Sequence, residues 1–100
     1  MKTTINVFTA FTAEERMTRE GGEKLRKQIL ALWGAHQNPI VLEFQNKPVA
    51  SVSFWDEGIA KLLEEGWSEA DLGKRIQFMG LYPRDREIVY KLVKARASIN

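Results

Sequence analysis

His36 is the only histidine in this chain, and cysteine is absent. That excludes disulfides, thiolate metal sites, a cysteine nucleophile and any His–His metal pair. The spacing predicts that His36 closes the first long helix, where an imidazolium would meet the negative end of the helix dipole, so packing or capping is its expected role. Carboxylates are plentiful, but no spacing selects one as its partner. No G-x-x-x-x-G-K-[ST] loop, no G-x-G-x-x-G after a strand and no G-x-S-x-G elbow occurs. No catalytic residue, metal ligand or cofactor is therefore expected, and the chain does not read as an enzyme.

Two other residue groups could carry recognition. Trp33 falls on the apolar stripe of a helix and reads as core, whereas Trp55 and Trp67 flank the second helix and could anchor an interface, where aromatics are enriched. Near the C-terminus, Arg84, Arg86, Lys91, Lys94 and Arg96 stand against Asp85 and Glu87. Such a face could meet phosphate, although a solvated helix with cations toward its C-terminal end is the simpler account. Nucleic acid is the lesser reading, because only Tyr82 and Tyr90 accompany these cations as stacking platforms.

The elements that must position these residues follow from period and punctuation. One hundred residues, 44% hydrophobic and 28% charged with a formal charge of +2, suit one soluble domain spanning 1–100. No apolar run approaches the ~18 residues of a membrane span, and no signal-peptide core opens the chain. A cytoplasmic protein is expected. Thr3–Phe8 alternates and is β-branched, which predicts a strand, with Thr9–Thr12 extending it or forming a second. Leu25, Ile29, Leu32, Trp33 and His36 lie on one helical face, so a helix should start between Arg19 and Glu23 and stop before Asn38-Pro39. Ile40–Phe44 is nearly all apolar, as in a central strand covered on both faces. Val49–Val52 suggests a brief edge piece. A second helix is expected from Ser53, with Ser53-x-x-Asp56 as a capping-box variant, Trp55, Ile59, Leu62 and Leu63 on one side and Gly66 as its stop. Ser68-Glu69-Ala70-Asp71 caps a short helical turn, Arg75–Met79 forms another strand, and Pro83 opens a last helix running to about Arg96. The alternation predicts an α/β fold with a single sheet, some of its neighbours parallel.

Within this order, Ser53-Phe54-Trp55-Asp56-Glu57-Gly58, after the strand Val41-Leu42-Glu43-Phe44, resembles the STAS-like proteins of the DUF4325 group. Their pattern sets a strand, a turn and Ser-Ser-Phe-(Leu)-(Asp/Glu)-Glu before a helix. Trp55 stands where Leu is common and Val52 where a first serine often stands. Gly22–Leu30 is similar to that group's first helix, and Ile76-Gln77-Phe78 with the helix after Pro83 to its closing elements. The resemblance implies a mixed sheet with three main helices packed largely on one face. It also implies a partner-switching regulator that binds a kinase-like ATPase or anti-sigma factor. In STAS antagonists a serine at a helix N-terminus is phosphorylated to release the partner. Lining up the helices puts Val52 at that acceptor position, with Ser51 and Ser53 as the candidate phosphorylation sites on either side. Asp56 and Glu57 would repel a phosphate on Ser53, which is otherwise explained as an N-cap. The expected function is thus a non-catalytic protein–protein interaction module that docks through Ser51, Ser53, Phe54, Trp55 and Glu57. Binding of a small anion or nucleotide phosphate at a helix N-terminus is the alternative.

Overall fold

The computed structural model describes residues 2–49 and 51–99. Three strands, β1 (Thr3–Asn6), β2 (Ile40–Glu43) and β3 (Ile76–Met79), form one sheet in the order β1-β2-β3. Both pairings are parallel, with Ile5 beside Leu42 and Leu42 beside Phe78. The sheet is therefore parallel throughout rather than mixed. The reason lies in the connections: helices α2 (Arg19–Gly34), α3 (Val52–Gly58) and α4 (Glu69–Arg75) fill the gaps between strands, and a helical crossover returns the chain to the end it left.

An antiparallel neighbour would have needed a hairpin, and Thr9–Thr12 does not supply one. Asn6 accepts the Phe8 N–H at 3.1 Å and so opens a single helical turn, α1 (Val7–Ala10). This side-chain cap outweighs the local β preference of the threonines. Of the proposed edge piece, Val49 and Ser51 are irregular, Val52 begins α3, and Ala50 lies outside the described residues.

The central position of β2 is as expected. Ile5, Ile40, Leu42 and Ile76 belong to one core cluster with Leu25 and Ile29 of α2, Phe54 and Trp55 of α3 and Leu72 of α4. Ile88, Val89, Leu92 and Val93 of the last helix, α5 (Pro83–Ile99), pack against it half-buried. On the opposite sheet face Thr4, Gln77 and Met79 are exposed.

Helix α2 is capped by Thr18, which accepts the Gly21 N–H at 3.1 Å. Past its end His36 takes a left-handed conformation (φ 62°) and donates its N–H to the Trp33 carbonyl. The exposed His36 is thus the residue that turns the chain away from the helix, in keeping with a capping role.

The second helix is not continuous to Gly66. After Gly58 the chain tightens into a 3-10 turn at Ala60–Glu65, ended by Gly66 at φ 91°. Ile59 with Leu62, and Ala60 with Leu63, are buried pairs three residues apart. A period of three stacks them in two rows and leaves Lys61 and Glu64 pointing outward together.

Candidate functional site

The segment Ser51–Glu57 is held by its backbone, its core side chains and a network of charge. Ser51, not Ser53, is the N-cap of α3: its Oγ accepts the Phe54 N–H at 3.3 Å. The expected Ser53–Asp56 box does not form, since Asp56 is drawn away by Arg96 (2.8 Å) and Arg19 (3.2 Å). Ser53 is half-buried.

Phe54 and Trp55 are fully buried, at 0% exposure. The Trp55 ring lies 5.0 Å from that of Phe44 and 6.4 Å from that of Phe78. Their expected place on a docking surface is corrected accordingly. Trp55, Ile59 and Leu62 share one stripe, and that stripe faces the sheet.

Behind the indole lies a residue that sequence reading passed over. Asp85, in the first turn of α5, is wholly buried and accepts the Trp55 Nε1–H at 3.3 Å and the Val49 N–H at 2.7 Å. It ties α5, α3 and the β2–α3 loop together. In sequence it reads only as an acid near a helix N-terminus, because nothing local shows that the indole will reach it.

Glu57 is nearly buried and also leaves the proposed surface. It accepts hydrogen bonds from Arg19 (3.0 Å), Arg26 (3.2 Å) and Lys61 (3.2 Å). Burial pushes its carboxyl up, but the hydrogen bonds from Arg26, Lys61 and Arg19 outweigh it and hold the group below its ordinary value. The Arg96 guanidinium, helped by Arg19, likewise holds Asp56 low against the effect of burial. Arg96 also pairs with Glu64. These carboxylates are structural charges that join α2, α3 and α5.

What the segment does expose is Val52, its first helical residue, at 53%. Tyr82 and Met79, on the β3–α5 connection and the end of β3, are exposed as well. The two loops are bound side by side, Asn46 N–H donating to Gly80 O at 2.8 Å and Phe44 N–H to Met79 O at 2.9 Å. The connections that follow β2 and β3 thus run side by side at the carboxyl rim of the parallel sheet.

Elsewhere the candidates are largely spent on structure. Trp33 and Trp67 meet edge to face at 5.9 Å, with Arg75 stacked over both rings at 4.1 and 4.8 Å. On α5, Lys91 pairs with Glu87, Lys94 with Glu69, and Arg96 with Asp56 and Glu64. The N-termini of α2, α3 and α4 each have an N–H taken by Thr18, Ser51 or Ser68. Among the described residues no group of His, Asp and Glu could hold a metal ion, and no helix is long and apolar enough to cross a membrane.

No family model, no curated protein and no solved structure matches the chain.

Proposed function

We propose that this chain is a non-catalytic protein–protein interaction module, of the kind the STAS-like resemblance implies, and that its contact surface is the carboxyl rim around Val52. The observation that carries the reading is Val52 itself: a half-exposed branched apolar side chain at the first position of a helix whose next residues are locked in the core. A rigid frame presenting an apolar residue suits docking, because little freedom remains to be lost on binding. Ser51 and Ser53 flank it in sequence. Phe54, Trp55 and Glu57 support this surface from beneath instead of forming it.

The partner proposed is a protein, a kinase-like ATPase or anti-sigma factor. A phosphate on Ser51 or Ser53 would set about two negative charges beside Val52 and weaken an apolar contact. Since Ser51 Oγ already accepts the Phe54 N–H, modification there would also disturb the cap. Two observations weigh against the other readings. The helix N-termini already spend donors on their own caps, which leaves fewer for an anion, and most cations of α5 are paired.

A photo-crosslinking amino acid placed at Val52 tests the proposal in cells. The expected result is one discrete crosslinked protein, absent when the same group replaces Lys27 on the outer face of α2. Val52→Asp should abolish association of the two purified proteins while leaving the melting temperature within a degree or two. The absence of any crosslink at Val52, or a melting temperature raised by phosphate or nucleotide alone, counts against it.

A further inference from the structure

A groove of ≈ 540 Å³ runs between α4, β3 and α5, and Ile76, Gln77 and Phe78 all border it. Successive strand side chains point to opposite faces of a sheet, and three consecutive residues bordering one space is what a groove along the strand's edge produces. β3 is the last strand in the order and pairs with β2 alone. Its free edge is therefore one wall of the groove.

Backbone directions agree. Met79 turns its carbonyl toward β2, where it accepts the Phe44 N–H. Ile76 sends its N–H the other way, to the Leu72 carbonyl of α4. Alternation then aims the N–H and C=O of Phe78 out of the sheet and into the groove, with no strand beside them among the described residues.

The remaining walls suit an extended chain. Leu72 contributes from α4 and Val89 and Val93 from α5. The two valines stand one helical turn apart, about 6 Å, close to the ~6.6 Å repeat of same-side residues on a strand. Charge narrows the occupant. Lys94 faces Glu69 at 3.3 Å, although the buried Glu69 Oε1 takes no directed hydrogen bond. Arg86, exposed at the groove, has no carboxylate partner among the described residues. The unmatched charge is positive, so an acidic partner is favoured and a second copy, bringing its own Arg86 to the same edge, is not.

We propose that this groove takes an extended peptide of alternating apolar and acidic residues, added beside β3 as a fourth strand. Its backbone pairs with Phe78, its apolar side chains lie against Val89 and Val93, and a carboxylate meets Arg86. None of the residues assigned to the Val52 surface takes part.

Amide hydrogen exchange on the full chain, followed by NMR with a short capped peptide alternating valine and glutamate as probe, tests this. The probe should slow exchange at Phe78 and leave Gln77, whose N–H turns toward β2, nearly unchanged. Arg86→Glu should keep the fold, weaken the probe about fivefold, as loss of one partly exposed ion pair implies, and shift preference to a second capped peptide in which lysine replaces each glutamate. The proposal is overturned by any of three results: no binding at millimolar probe, binding without slowed exchange at Phe78, or undiminished affinity in Arg86→Glu. Protection of Phe78 that grows with protein concentration alone would assign the edge to a second copy and overturn it too.

Discussion

At the scale of single residues, the buried carboxylate of Asp85 decides more than any exposed group. It satisfies a buried indole N–H and a backbone N–H from two other parts of the chain. Removing a buried acceptor strands its donors, at a cost of about 1–3 kcal/mol each. Asp85→Ala should therefore lower unfolding stability by about 3 kcal/mol in urea titration, and Asp85→Asn, which keeps one acceptor oxygen, by clearly less. Equal stability of Asp85→Ala and wild type would remove Asp85 from its structural role. Local spacing alone puts the cap of α3 two residues late, at Ser53 instead of Ser51. Ser51 and Ser53 are both competent caps, and Asp56 fits a box only with Ser53. Its engagement by Arg19 and Arg96, 37 and 40 residues away in sequence, is long-range ion pairing that no local pattern displays.

At the scale of elements, α2 and α3 cross at two glycines. A methyl on Gly22 would lie 2.6 Å from the Phe54 carbonyl oxygen and 2.8 Å from Glu57 Cβ, while Gly58 approaches the Gly22 carbonyl from the other side. Gly22→Ala should thus cost about 1–3 kcal/mol by overpacking. Gly34→Ala, at the end of the same helix with nothing within 4 Å, should instead stabilise by about 0.5–1 kcal/mol through the unfolded chain's entropy. Thermal melts of the pair check the crossing, and matching shifts would refute it. The ion-pair network between these helices carries a pH signature. Asp56 and Glu57 are both held below their ordinary values, so their contribution is fully present above the unfolded-state values, about pH 4, and is lost as pH falls through the lower folded-state ones. Asp56→Asn should accordingly melt below wild type at pH 7 and converge with it toward pH 2. A gap that widens in acid would contradict the assignment.

At the scale of the whole molecule, much of the architecture was legible because it rests on local signals. The apolar run Ile40–Glu43 forms the central strand, the Leu25–Ile29 stripe faces the core, Ser68 and Asp71 form their capping box, and Pro83 opens α5. What escaped was long-range. Strand direction depends on how crossovers return; the exception is local, the Asn6 cap that turns the chain into α1 and diverts Thr9 from a strand. Which side of α3 is buried is encoded by the Trp55–Ile59–Leu62 spacing, whereas a motif match carries no information on burial. Within one short segment, then, the molecule divides labour: Phe54, Trp55, Asp56 and Glu57 hold α3 in place, and Val52 is what it shows.

Urea midpoints of Trp55→Ala and Val52→Asp, measured side by side with wild type, test that division most directly. Trp55→Ala should lose about 3–5 kcal/mol, the usual cost of emptying a buried aromatic site. Val52→Asp should stay within about 0.5 kcal/mol, as expected of an exposed position. The opposite ranking, with Val52→Asp unfolded and Trp55→Ala intact, would show that α3 presents its other side.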